Sequence, residues 1–247
     1  MNDYRRFSEE LCKSRHAVSL TGAGISVESG IPDFRSRDGL WSRYDIAEYG
    51  YIESFRADPA RVWNMLSAMG RMLEAAEPNM AHIALGELER LGIIKAVVTQ
   101  NVDSLHQRAG STNVIEFHGS FRTMHCDTCL KTFSREYISF DSLPPRCPCG
   151  GPIRPDIVFF GEAIPTQAYA LALRATEECD LMLVVGTSAS VAPASHLPLI
   201  AKKRGARLLE INPEKSGLSD SLSDLHIKEP AGKALGQILR VVREMKS

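Results

Sequence analysis

The strongest constraint on the fold is a series of short, almost continuously apolar runs separated by amphipathic helical patterns. Residues 16–20, 93–99, 114–117, 157–160, 181–185 and 207–211 form the runs. Runs of this length that do not alternate with polar residues suit strands buried on both faces, as in a parallel sheet covered by helices. Between them, residues 59–73 place Val62, Leu66, Met69 and Leu73 on one helical face. Ala81, Leu85, Leu88 and Leu91 form a second stripe, with Asn79 as N-cap and Gly92 as the stop. Helical patterns also cover 166–179, 194–203 (closed by Gly205) and 233–245, the last burying Leu235, Ile238, Leu239 and Val242. Alternating strands and helices predict an α/β, doubly wound parallel sheet. Two stretches break the alternation. Residues 36–73 read as loop then helix, and 121–154 hold clustered cysteines and the Pro144-Pro145 turn. Both read as inserts that wall a cleft.

A length of 247 residues fits one large domain, and 44% apolar residues can form its core without disulfides. A formal net charge of −1 gives no global field for nucleic acid or an anionic membrane. Residues 1–14 are charged and lack an apolar central run, and 181–185 is too short to span a bilayer. The expected location is the cytoplasm.

The run at 16–20 leads into Gly22-Ala23-Gly24, where glycines permit a tight turn and a close backbone approach to a pyrophosphate. Val27 stands where a third glycine would complete a dinucleotide fingerprint, so a plain strand-to-helix turn is an equal reading of these residues alone. Gly30-Ile31-Pro32-Asp33-Phe34-Arg35 follows, with a rigid turn at Pro32. Arg35 suits bidentate phosphate or carboxylate contact, or a local salt bridge.

These two loops resemble the signature of the sirtuin family, in its bacterial or archaeal form. Further motifs follow in the family's order: Thr99-Gln100-Asn101-Val102-Asp103 with Leu105-His106, and Glu116-Phe117-His118-Gly119. Then come Arg154-Pro155 with Val158-Phe159-Phe160-Gly161-Glu162, Gly186-Thr187-Ser188, and Ile211-Asn212. The resemblance implies one catalytic domain over 1–247. Its Rossmann-like core comprises 1–35, 80–120 and 157–247, with a helical insert at 36–79 and a small zinc-binding module at 121–156.

The resemblance implies NAD as a co-substrate. The implied binding residues are Gly22, Ala23, Gly24, Ser26, Pro32, Asp33, Phe34, Arg35, Gln100, Asn101, Val102, Asp103, Gly186, Thr187, Ser188, Asn212, Pro213, Glu214 and Ala231. Asp103 would bond the carboxamide, and Asn101 would hold the ribose or an ordered water. Read from the residues alone, Asp103 equally suits an N-cap. His118, one of seven histidines, sits just past a strand end, and an imidazole near ~6.5 suits a general base. The resemblance assigns that role to His118, with Asn101 as a second catalytic residue, and leaves His106 structural. Val158, Phe159, Gly161, Glu162 and Val191 would bind the substrate peptide, an extended chain paired by β-augmentation.

Cys126, Cys129, Cys147 and Cys149 are spaced C-x2-C, 17 residues, C-x-C. In a chain without an export signal this suggests a tetrahedral structural Zn²⁺ rather than disulfides. The single residue between Cys147 and Cys149 makes two ligands from one turn harder to place, leaving a three-cysteine or empty site as alternatives. Four thiolates leave no open position for water, so such a metal is not the catalyst. Cys12 and Cys179 read as small buried hydrophobes.

The implied activity is NAD-dependent deacetylation of protein lysine, yielding nicotinamide and O-acetyl-ADP-ribose. Deacylation of longer neutral groups and protein mono-ADP-ribosylation are the alternatives within the family. Sirtuins that take succinyl or malonyl groups carry a Tyr-x-x-Arg pair, and Leu66 and Met69 occupy the expected places here. An apolar wall leaves a carboxylate unpaired. A dinucleotide oxidoreductase fits the glycine loop but lacks an acidic ribose-binding residue about 20 positions on. A zinc-ribbon binding module for nucleic acid or protein is a second rival, and the net charge weighs against nucleic acid. The expected partner is an acetyl-lysine protein or peptide, bound by a monomer.

Overall fold

The computed structural model describes residues 3–33, 39–138, 140, 142–219 and 221–246. The strands are β1 (Ala17–Thr21), β2 (Ile94–Thr99), β3 (Val114–Glu116), β4 (Gly119–Cys126), β5 (Thr132–Ser134), β6 (Ile153–Ile157), β7 (Leu181–Val185), β8 (Arg207–Ile211) and β9 (Leu225–Ile227). The helices are α1 (Asp3–Lys13), α2 (Leu40–Arg43), α3 (Ile46–Tyr49), α4 (Ile52–Ala57), α5 (Pro59–Ala75), α6 (Met80–Arg90), α7 (Leu105–Arg108), α8 (Thr166–Glu178), α9 (His196–Lys203) and α10 (Ala231–Lys246).

β1 and β7 are buried along their whole length, which explains why their sequences do not alternate. They lie at the centre of a six-stranded sheet ordered β3-β2-β1-β7-β8-β9, parallel throughout. One apolar layer joins a face of this sheet to α1, α6 and α10 through Phe7, Leu85, Leu235 and Ile238. The other face packs on α8 and α9 through Ala172, Leu197 and Ala201. The chain moves from β1 outward to β3 and returns on the other side at β7. That reversal opens a crevice at the carboxyl ends of β1 and β7, where open α/β sheets bind ligands.

The second sheet is antiparallel, ordered β5-β4-β6. It shares a separate apolar layer with α4 and α5, centred on Phe55, Trp63 and Leu66. The Trp63 indole N–H donates to Ile153 O at 2.8 Å, fastening helix to sheet. Asp58 caps α5 by accepting from Arg61 N, with Pro59 in the first turn. Asn79 caps α6 by accepting from Ala81 N at 2.8 Å, while Asn79 N–H donates to His82 Nδ1 at 3.3 Å.

The predicted strand at 157–160 is not in the parallel sheet. Ile157 ends β6, antiparallel to β4, and Phe160 makes only an isolated bridge to Tyr51. The apolar run there packs against α4, where Phe159 lies 5.7 Å from Phe55 ring to ring. Apolar content alone does not separate that role from a core strand. β9 and α1 lie where no element was expected. α1 is rich in charge, yet Phe7 and Leu11 are buried.

Candidate active site

The loops after β1, β2, β3 and β7 meet around a cavity of about 300 Å³. Gly22, Ala23 and Gly24 follow β1, Gln100, Asn101 and Val102 follow β2, His118 follows β3, and Gly186, Thr187 and Ser188 follow β7; all line it. Val158, Phe159, Gly161, Glu162 and Val191 line it as well, with Asp33. A recess of about 30 Å³ shares Ala23, Asn101 and Val102 and adds Ser26, Pro32 and Asp103. Phe34 and Arg35 lie outside the described residues. Asn212, Pro213, Glu214 and Ala231 do not line the cavity. Asn212 stands behind it, its side chain donating to the O of the cavity-lining Thr187 at 3.1 Å. Ala231 is buried at the start of α10, and the next N–H, of Gly232, donates to the Glu28 carboxylate at 2.6 Å.

The glycine loop works differently from the sequence reading. Gly22 N–H donates to Val185 O at 3.0 Å and Gly24 N–H to Gly186 O at 2.8 Å, so neither is free for a phosphate. A Cβ on Gly24 would stand 2.8 Å from the Gly186 backbone. These glycines let two strand ends touch. Gly186 itself has φ +61, and a Cβ there would sit 2.4 Å from Ile25 N.

His118 is held by a similar close approach. The next residue, Gly119, has φ +76, and a Cβ on it would lie 1.9 Å from Asp156 O. That contact brings β6 against β4 and turns the imidazole back toward β2. Its Nδ1 lies 3.1 Å from Gln100 O. A carbonyl only accepts, so the proton sits on Nδ1 and Nε2 keeps its lone pair. Burial holds the imidazole below its ordinary pKa, opposed by that backbone hydrogen bond. The ring is therefore neutral at pH 7, with a basic nitrogen.

Beneath the recess runs a buried polar network. Ser26 Oγ donates to Asp103 at 2.7 Å and accepts from Asn101 Nδ2 at 3.1 Å. Asn101 Nδ2 also reaches Gly22 O, while its Oδ1 is buried without a partner in the chain. Asp103 accepts from Leu105 N, the first residue of the short α7, at 2.9 Å and faces the recess at once, while Ser104 takes the N-cap position. His82 lies 3.4 Å from Ser26 Oγ, and His106 lies 3.0 Å from Thr21 Oγ1. His82 and the cavity-lining Leu40, Tyr49, Met65 and Ile164 were not foreseen. The one signal for His82 was its place three residues after the Asn79 cap. Leu66 is fully buried in the core, and Met65 takes the wall position expected of it, beside Met69. The i, i+4 spacing of those methionines sets both on one face of α5.

Cys126, Cys129, Cys147 and Cys149 place their sulfurs within 4.8 Å of one another. Cys126 and Cys149 lie 3.5 Å apart, and Cys129 and Cys147 3.6 Å. A tetrahedral ion with Zn–S near 2.3 Å needs sulfurs about 3.8 Å apart, so the set fits zinc. The C-x-C half is made possible by two glycines. Gly150 turns at φ +87, and a Cβ on Gly151 would press 2.7 Å from Cys126 Sγ. All four cysteines are therefore brought together.

The Sir2 family sequence profile matches residues 22–193, most of the chain. The chain is 46% identical over 245 residues to the NAD-dependent protein deacetylase of Saccharolobus solfataricus, covering 98% of each. This chain belongs to the Sir2 family. The sirtuin is also 44% identical to the NAD-dependent protein deacylase 1 of Archaeoglobus fulgidus, over 95% of this chain and 96% of the other. Among solved structures, a Sir2 homologue bound to NAD superposes with TM-score 0.91 at 43% identity, covering 98% of this chain and 94% of that one. A Sir2 complex with a p53 peptide and NAD⁺ gives 0.87 at 38% identity, covering 100% and 99%.

Proposed function

We propose that this sirtuin is an NAD-dependent protein lysine deacetylase that releases nicotinamide and O-acetyl-ADP-ribose. The observation that carries the reading is His118, with Nε2 free, in the same cavity as Asn101 and the apolar 158–162 segment. The dinucleotide, when bound, supplies an electrophilic sugar carbon and the hydroxyl that accepts the acyl group. Ala23, Thr187 and Ser188 hold its phosphate side. Asp103 and Ser26 face its carboxamide in the recess. Asn101, whose Oδ1 lacks a partner in the chain, holds the ribose or a water. Val158, Phe159, Gly161, Glu162 and Val191 seat the peptide, and Met65, Met69 and Leu40 wall off water. His118 takes a proton from the sugar hydroxyl at Nε2, and Gln100 O steadies the resulting imidazolium. The four thiolates hold zinc as a structural ion that keeps β4, β5 and β6 in place.

No helix among the described residues is long and apolar enough to cross a membrane. The reading carries with it a cytoplasmic monomer that engages no membrane and no nucleic acid directly; the net charge of −1 supports the last. Mass spectrometry of an acetyl-lysine peptide incubated with and without NAD tests the activity. Loss of 42 Da from the peptide only with NAD, with O-acetyl-ADP-ribose formed, is about what removing one acetyl group predicts. Intact NAD and peptide would end the reading.

A further inference from the structure

Arg154 is a buried cation between the cysteine module and the cavity, with a side chain 6% exposed. Its fork donates to both carboxylate oxygens of Glu162, at 2.9 and 2.5 Å. Its Nε stands 3.3 Å from Asp127 Oδ1, an ion pair whose angle is too poor for a hydrogen bond. The guanidinium also lies 5.3 Å from the Phe159 ring centre and 5.9 Å from that of Phe55. Two facts give this arrangement direction. Asp127 sits between Cys126 and Cys129, and its N–H donates to Pro152 O at 3.0 Å. Glu162 accepts the Phe159 N–H at 3.0 Å, so the turn at the cavity lip is folded around the carboxylate that Arg154 grips.

We propose that Arg154 is a positioning residue for the acyl-peptide, fixing the 159–162 turn by anchoring it to the cysteine loop. The inference rests on the deacetylase reading. Glu162 and Phe159 line the cavity on the peptide side, whereas none of the groups that Arg154 touches belongs to the glycine loop or to the recess. A bidentate guanidinium sets both the distance and the plane of a carboxylate, which a lysine ammonium does not. The role therefore predicts a selective loss: peptide binding weakens while dinucleotide binding holds.

The test is Arg154→Lys, measured beside the unaltered protein. The readouts are KM for acetyl-peptide and for NAD, kcat, zinc per chain, and the Kd of a fluorescein-labelled acetyl-lysine peptide without NAD. The expected result is a peptide KM and Kd raised tenfold or more, with kcat and the NAD KM within threefold and one zinc retained. A peptide Kd within twofold of the unaltered protein overturns the proposal, as does an equal rise in the NAD KM. If the lysine variant does not fold, Asp127→Asn decides: it keeps the Glu162 pair and should raise the peptide Kd at least threefold with zinc retained. No change in that Kd overturns the proposal. Should the unaltered protein leave acetyl-peptide intact with NAD, the deacetylase reading fails on its own, and the peptide Kd still decides the role of Arg154.

Discussion

Acid should unfold this protein through two histidines that no solvent reaches. His82 and His106 pack edge-on, 4.9 Å between ring centres, under the recess. Burial pushes His106 down to about 3, with the neighbouring His82 pushing the same way. Burial pushes His82 down to about 4, although Asp103 pulls it up. Well above pH 6.5 both rings are neutral in the folded and unfolded chain, and no linkage arises. Below it, the unfolded chain binds protons that the folded chain refuses, so stability falls as pH falls. At pH 5 each unfolded imidazole, with its pKa near 6.5, gains about 2 kcal/mol from protonation, while both folded rings stay neutral. The pair should cost about 4 kcal/mol between pH 7 and 5, a large share of a typical stability of about 5–15 kcal/mol. His118 adds to the same slope. Asp156, Asp180, Asp224 and Glu229 are held below their ordinary pKa values, so their contributions are lost mainly below pH 5. Urea titrations followed by far-UV circular dichroism at pH 7, 6 and 5 read the effect directly. A midpoint that stays level from pH 7 to 5 refutes the reasoning, and so does a His106→Gln protein that keeps the full slope.

Replacing His118 with Ala should lower kcat about 10²- to 10⁴-fold, the range of a lost general base, while the calorimetric NAD affinity stays within about threefold. In the unaltered protein the same ring predicts an acid limb in kcat/KM that lies below pH 6.5, because burial lowers its pKa. Acetyl-peptide should be processed at least about 100-fold faster than succinyl-peptide, since a carboxylate unpaired against Met65 and Met69 costs several kcal/mol. Met69→Arg should narrow that ratio at least about tenfold in parallel assays. Zinc removal by a strong chelator should free four thiols to Ellman's reagent and red-shift tryptophan emission, because the Trp63 indole hangs on Ile153 of β6. Unchanged emission with all four thiols reactive would contradict the link between the metal and the helix packing.

The parallel core was legible because burial on both faces leaves a direct trace: β7 is wholly apolar, and β1, β2 and β8 are mostly apolar without a strict polar alternation. The same trace misled at 157–160, because Phe159 and Phe160 are apolar for a different partner, α4 and the cavity lip. The cysteines were legible as a set from spacing alone. Whether the C-x-C half could deliver both sulfurs depended on the backbone at Gly150 and Gly151, which ligand spacing does not report. Helical phase caused the slip from Met65 to Leu66. One position is a rotation of about 100°, enough to turn a side chain from the cavity into the core. His82 was missed, and Arg154, though named in a motif, was given no role, for a shared reason. Each acts through long-range partners, Ser26 for one and Asp127 with Glu162 for the other, and nothing local marks such a pairing.

The site motifs mix two demands that the structure separates. In Glu116-Phe117-His118-Gly119, Gly119 answers to the fold: its positive φ and the 1.9 Å approach of Asp156 O hold whether or not any ligand binds. In the proposed reaction His118 serves the chemistry: it lines the cavity, with Nδ1 turned to Gln100 O. In Gly186-Thr187-Ser188 the division is the same, with Gly186 closing on Gly24 while Thr187 accepts from Gln100 Nε2 at 3.0 Å and faces the cavity. His118 and Thr187 are thus each placed by a glycine beside it that lets two backbones touch. That juxtaposition explains why short glycine-bearing motifs, scattered over most of the chain, assemble into one cavity: the contacts that close the sheet ends also aim the groups between them.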